Sequence, residues 1–336
     1  MAVMSPPVKD GQYYFEHGDC TFLVEQVLFK LPRFALCQDA NSMFADMFAV
    51  AKDDDDLAPI PLDDSAEDFR ALCWAMFARP TEMYKMLAKP GDIDVQMYLR
   101  VLDIAHKYQL LEYEAWAWMM ARHASDAVPA RLKIAAEDEL EHTLMLAVRC
   151  QDSAPELLEL VESTWLARII DGSLPHSRAL TAGELYGRRK FQGEIYWNLR
   201  TRLTRGPQIA SPKLGFSAFN LTDTQLNRLL LGHALLSHCM RTAADRPYLV
   251  PRLSDCHDHK PCQTFWDKSI PYPTHIGDRN WIYGGQNALE KTLPDSPFYR
   301  YELECVGSHL RSMASESNEI PDDLASYFLG PDPSSP

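Results

Sequence analysis

The run Cys256-His257-Asp258-His259-Lys260-Pro261-Cys262 puts four soft or borderline ligands within seven residues, and Cys305-Val306-Gly307-Ser308-His309 lies downstream to complete a set. Sets of four thiolates and imidazoles hold tetrahedral zinc. The candidate metal ligands are therefore Cys256, His259, Cys262 and Cys305, with His257 and His309 as alternates. The five-residue gap between Cys256 and Cys262 exceeds the usual spacing of about two to four. Cys239, on an expected helix, is a competing ligand. The other reading is a set of reduced thiols with surface histidines. A zinc ion here is expected to be structural, because no glutamate stands beside the cluster as a general base for bound water. No other cofactor is expected.

Chemistry of other kinds is missing from the sequence. There is no Gly-rich phosphate loop, His-Glu-x-x-His helix, Gly-x-Ser-x-Gly elbow or dinucleotide fingerprint, and Gly284-Gly285 reads as a turn. His106 and His123 fall on expected helices as packed or solvated side chains, and Cys73 reads as a small core hydrophobe. Asn220-Leu221-Thr222 fits a glycosylation pattern, but Thr222 is better used as a helix cap. No catalytic residue is named and no enzymatic activity is expected.

Bulk properties narrow the class. At 336 residues, 46% hydrophobic and 24% charged, the chain is long enough for two packed domains. The net charge of -14 repels a phosphate backbone, so direct nucleic-acid binding is not expected. The start, Met1-Ala2-Val3-Met4-Ser5-Pro6-Pro7, lacks the pattern of a signal peptide, and no run approaches membrane-spanning length. The expectation is an intracellular protein, cytoplasmic and/or nuclear, with no membrane partner. Its eight cysteines are then expected as thiols or metal ligands.

The elements that would position these residues fall into two regions, giving an α+β fold class. Residues 1–12 read as a disordered N-terminus. In 13–126, the segment 20–31 is rich in β-branched and aromatic residues around a polar Glu25-Gln26 break, a hairpin signature. Arg33–Cys37 and Met43–Phe48 read as short helices, the second capped by Ser42. The acidic run Asp53–Asp56 reads as a solvated loop. Ala58–Leu62, with its prolines, suits only an edge strand. Asp64-Ser65 opens a helix from Ala66 to Phe77 with Phe69, Leu72, Cys73, Met76 and Phe77 buried. A helical pair follows: Gln96–Tyr108, then Leu111–His123 with Leu111, Ala115, Trp118 and Met119 on one face.

This order of elements resembles the BTB/POZ domain from Tyr13 to Ser125. Ser42-Met43-Phe44-Ala45-Asp46-Met47-Phe48 resembles the family's Ser-x-x-Phe-x-x-Met-Phe string, and Leu62-Asp63-Asp64-Ser65-Ala66-Glu67-Asp68-Phe69 its strand-to-helix passage. The stretches Asp19–Val24 and Leu28–Arg33 look like its first hairpin, with Pro32 where the family usually has a histidine. Where the family often has Tyr-Thr-Gly, this chain has Phe77-Ala78-Arg79-Pro80-Thr81 and then an insert, Glu82 to Asp92, like those of a large fungal set. In that set a similar Cys-His-Cys stretch is followed by Cys-x-x-Cys; here Cys305 matches, with Ser308 in place of the second cysteine. The resemblance implies protein–protein interaction, homodimerisation through the early helices and hairpin and, in some relatives, an adaptor role on a cullin-type ubiquitin ligase. A second expectation is a zinc-stabilised regulatory protein, nuclear in location, working through its C-terminal region.

Residues 127–330 read as helical: Ala130–Cys150, Pro155–Ile170, Thr181–Thr204 and Thr222–Arg241, with capping boxes at Thr181–Glu184 and Thr222–Gln225. Helix 181–204 carries Arg188, Arg189, Lys190, Arg200 and Arg202, read as a solvated face or as a surface for an acidic partner. Residues 331–336 read as a frayed tail.

Overall fold

The computed structural model describes residues 6–50, 58–88, 94–123, 126–205, 219–244, 252–254, 256–269, 305 and 324–333. The acidic run 53–56, residues 89–92 of the insert, Gly284-Gly285, His309, residues 334–336 and the side chain of Cys239 lie outside the described residues. The chain divides into two compact units, Met1–Leu174 and Pro175–Pro336.

Among the described residues of the first unit there are four strands, β1 (Val8–Tyr14), β2 (Cys20–Val24), β3 (Val27–Leu31) and β4 (Ile60–Leu62). Among the described residues, helices follow or interleave with them: α1 (Arg33–Leu36), α2 (Met43–Val50), α3 (Ala66–Phe77), α4 (Pro80–Leu87), α5 (Val95–Lys107), α6 (Leu111–His123), α7 (Ala127–Ile134), α8 (Glu137–Arg149) and α9 (Pro155–Ile170). This is the α+β class expected. The strands form one mixed sheet in the order β1-β3-β2-β4. β2 and β3 make the antiparallel hairpin, with Phe22 opposite Phe29, and Glu25 takes a left-handed φ of 53° at its turn. β4 pairs parallel with β2 at the sheet's edge, where Pro61 costs no ladder bond on a second neighbour.

Residues 8–12, assigned from sequence to a disordered N-terminus, instead run with Tyr13 and Tyr14 as β1, parallel to β3. The segment Val8-Lys9-Asp10-Gly11-Gln12-Tyr13-Tyr14 is too polar to alternate cleanly, and its pairing is non-local. Asp10 is buried; its carboxylate accepts hydrogen bonds from the N–H groups of Gln12 and Tyr13 and from Arg70 Nε on α3 at 2.7 Å. Burial alone would raise its pKa, but those bonds outweigh it and hold the carboxyl below the usual aspartate range.

The core lies between the sheet and α2, α3 and α5. Phe69 on α3 packs on Phe22 and Phe29 at 5.5 and 4.9 Å between ring centroids. All three are fully buried with Val24, Leu31, Phe44, Leu72 and Cys73. α3 begins at Ala66 because Ser65 accepts the Asp68 N–H, and Glu25 at the hairpin turn accepts the Ala66 N–H at 3.2 Å. A carboxylate there also faces the positive end of the helix.

Two helical expectations and one boundary differ here from what forms. Ala130–Cys150 is not one helix: it breaks between α7 and α8 at Ala135–Ala136. Arg168 of α9 donates to the Leu132 and Ala135 carbonyls, at 3.2 and 2.5 Å, and so satisfies the end of α7 from another element. The face assigned to α6 is rotated: Leu111 and Met119 are exposed, whereas Glu114, Ala117, Trp118, Met120 and Ala121 are buried. α6 lies against both α5 and α7, so its apolar surface is no single stripe. The boundary at 126/127 does not coincide with the division after Leu174. α7 and α9 pack within the first unit, where Trp118 Nε1 donates to Glu156 at 3.0 Å.

In the second unit, α10 (Ser177–Leu185), α11 (Arg189–Arg205), α12 (Asp223–Ala244), α13 (Lys260–Ser269) and α14 (Leu324–Leu329) are described. The capping box at Thr222 forms: Thr222 Oγ1 accepts the Gln225 N–H and Gln225 Oε1 accepts the Thr222 N–H, both at 3.2 Å. The one at Thr181 does not. Thr181 sits inside α10 and donates to the Ser177 carbonyl, and the chain turns instead at Gly187, φ 65°. Nor is the basic stretch simply a solvated face. Arg200 is buried with its guanidinium over the Trp197 ring, and Arg189 donates to the Gly330 carbonyl at 2.6 Å. Arg189 Nε also lies 3.6 Å from the Asp332 carboxylate, so the tail read as frayed is held at that residue.

α14 packs on α11 and α12, with Phe328 stacked on Tyr196 at 5.2 Å and 16°. Its approach is close because Gly193 lacks a side chain: a Cβ there would stand 2.9 Å from the Ala325 backbone. Among the described residues, no helix is long and apolar enough to cross a membrane.

Two substitutions test this packing. Phe69→Ala should lower unfolding stability by about 3–5 kcal/mol in a denaturant titration, the usual cost of removing a buried phenylalanine. Gly193→Val should displace α14, read as faster amide hydrogen exchange across 324–329 with α3 and α5 unaffected.

Candidate metal centre

Cys256, His259, Cys262 and Cys305 come together in the second unit, their ligand atoms all within 4.8 Å of one another. Local structure explains three of them. Cys256 closes a turn by donating its N–H to the Leu253 carbonyl at 3.2 Å. Arg252 clamps the next stretch, donating through Nη2 to the carbonyls of Cys256 at 2.8 Å and His257 at 3.4 Å. Asp258 then accepts the Lys260 N–H at 3.1 Å as α13 starts, which places Cys262 in the first turn of that helix. The fourth residue, Cys305, arrives from further along the chain, and its sulfur accepts the Leu253 N–H at 3.4 Å.

The spacing judged too wide is divided by His259. Cys256, His259 and Cys262 follow one another at intervals of three, and His259 Nδ1 lies 4.0 Å from Cys256 Sγ. Each gap therefore contains two residues, within the range of known zinc ligands. The alternates separate as well: His257 is exposed and outside the set, and His309 lies outside the described residues. Sequence inspection missed Arg252 and Leu253, whose contributions are a backbone clamp and a backbone N–H that no ligand pattern encodes.

Cys262 and Cys305 are fully buried, and Cys256 and His259 partly so. Crowding makes the sulfurs unequal. The Cys256 thiol is pushed up to about 11, first by its hydrogen bond with Cys305, then by desolvation and the charge of its neighbours. Desolvation likewise raises Cys262, with Cys305 adding to it. Desolvation also opposes ionisation of Cys305. There it is outweighed by bonds from the Leu253 N–H and from Cys256, His259 and Cys262, so this thiol is lowered. Of the three thiols, Cys305 is the one whose ionisation is favoured, and its charge disfavours ionisation of the other two; a divalent cation at the centre would offset that repulsion.

Three sulfurs and one imidazole nitrogen form a soft donor set that could hold a metal ion. Metal–ligand lengths of about 2.0–2.3 Å imply donor separations of roughly 3.3–3.8 Å in a tetrahedron. Contraction by about 1 Å from the observed spread suffices. Comparison of the chain with family models, curated proteins and solved structures gave no match.

Metal affinity should fall with pH, because binding displaces protons from Cys256 and Cys262, both raised thiols. The expected loss is about tenfold per pH unit for each proton displaced, read by chelator competition at two pH values. Cys262→Ser should weaken binding at either pH.

Proposed function

We propose that the first unit is a protein-interaction module of the BTB/POZ kind that self-associates, with the second unit offering a separate binding surface. The observation that carries this is the meeting of the two strings that resemble the family on one residue, Tyr108. Phe44, from the first string, stacks on the Tyr108 ring at 4.3 Å and 16°, and the Met43 N–H donates to its carbonyl at 3.0 Å. Asp64, from the second, accepts the Tyr108 hydroxyl. Further support comes from the element order of hairpin, α1, α2, β4, α3, α5 and α6, which parallels the order that suggested the family except that α4 stands between α3 and α5 where that order has a loop.

Self-association is favoured by apolar side chains on the two early helices. Phe34 on α1 and Met43 and Val50 on α2 are 72, 42 and 82% exposed. Large apolar groups left in water on consecutive elements suit a protein contact. The intact chain should sediment as a dimer at micromolar concentration, and Phe34→Asp with Val50→Asp should shift it to monomer. A wild-type monomer would overturn the dimer. Within this proposal, an adaptor role on a cullin-type ubiquitin ligase is the narrower form, tested by co-purification of a cullin with the intact chain.

The convergence of Cys256, His259, Cys262 and Cys305 favours a second reading: a structural zinc ion stabilises the second unit, which acts as a regulatory surface, nuclear or cytoplasmic. Elemental analysis of purified protein should then give zinc that Cys256→Ser removes.

A further inference from the structure

We infer that the first unit carries a metal site of its own, formed by His106, Glu114 and Cys150, which takes a borderline divalent ion such as Zn2+ independently of the Cys256 cluster. The three residues come from α5, from α6 and from the position just after α8. Their donor atoms lie within 4.8 Å of one another. Nothing in the sequence marks them, because spacings of eight and thirty-six residues match no ligand motif.

The case begins with Glu114. Its side chain is only 3% exposed, and a carboxylate so placed needs a full positive charge or several strong donors. It faces His106 Nδ1, 3.3 Å from each carboxylate oxygen, and the Cys150 thiol. The imidazole nitrogen is thus aimed between the two oxygens rather than at either. Cys150 is 1% exposed and its thiol is raised, first by burial and then by the Glu114 charge. The cations adjacent in sequence are engaged elsewhere: Arg149, next to Cys150, pairs with Asp103, and Lys107, next to His106, pairs with Asp64.

A divalent ion resolves this arrangement. On binding, Cys150 loses its thiol proton to solvent, and a metal–sulfur bond forms in place of the sulfur–hydrogen bond. The ion's two positive charges then equal one thiolate and one carboxylate, while neutral His106 supplies nitrogen. The buried centre becomes neutral, which is the cheapest state for a dry site. Sulfur, nitrogen and oxygen together suit Zn2+. Three protein ligands leave a fourth position for water, as open zinc sites do. His106, with a side chain 35% exposed, gives the centre its route to solvent.

The test uses the full chain stripped of metal, reloaded with Zn2+, and read by elemental analysis per chain. With both centres loaded, wild type binds two equivalents and Glu114→Gln binds one, the glutamine preserving side-chain shape. Cys256→Ser with Cys262→Ser retains one equivalent. Co2+ loaded into that double variant should give a spectrum with a single thiolate-to-metal band, weaker than the three-thiolate signal of Glu114→Gln. If the Cys256 cluster binds nothing, wild type holds one equivalent that Glu114→Gln loses, and the inference still stands. It is overturned if Glu114→Gln and Cys150→Ser bind as much as wild type, the three residues then forming only a hydrogen-bonded network. A folded double variant, checked by circular dichroism, that binds no Zn2+ or Co2+ overturns it equally.

Discussion

The first unit is tied together at Tyr108. Its ring is a floor for Phe44, its hydroxyl donates to Asp64, and its carbonyl takes the first N–H of α2. The residue before it, Lys107, adds Nζ bonds to Asp64 at 2.5 Å and to the Asp63 carbonyl at 3.0 Å. One position just past α5 thus fixes the start of α2 and the approach to α3, elements far apart in sequence. The bonds also explain how Asp64 can be almost completely buried: its charge is met by a phenol and an ammonium together. Burial first, and then the Asp64 bond, raise the Tyr108 phenol and so favour its donor form.

Other polar side chains also make contacts between elements. Asp10 joins β1 to α3, Arg168 joins α9 to the end of α7, and Glu25 joins the hairpin to α3. Around the Cys256 cluster the same economy holds. Arg252 spends its guanidinium on backbone carbonyls, leaving the sulfurs and the imidazole to face one another.

Where structure follows from neighbouring residues, it was legible in the sequence. The hairpin around Glu25-Gln26, the caps at Ser42, Ser65 and Thr222, and the limits of α3 and α9 all depend on side chains within a turn of the backbone they satisfy. Apart from the local turn at Gly187, the failures described above have the opposite property. β1 exists because β3 offers it an edge. The break at Ala135–Ala136, two good helix formers, exists because Arg168 reaches it from α9. The orientation of α6 depends on having neighbours on more than one side. At the metal centre, ligand identity and the spacing of three were legible in the sequence, whereas the arrival of Cys305 beside them, marked by its bond from the Leu253 N–H, is non-local. The trio His106, Glu114 and Cys150 left no local trace because no two of them share an element.

The docking of α14 bears on how the second unit is made. The bond from Arg189 to Gly330 spans 141 residues, and Phe328 fills the surface of α11 and α12 from nearly as far. Closing so long a loop carries an entropy cost that local helix formation does not repay until the contact is complete. α10, α11 and α12 can form early, but with an apolar groove open to solvent where Phe328 will lie. The docking of α14, which covers that groove, is therefore the contact of the second unit whose closure carries the largest loop cost.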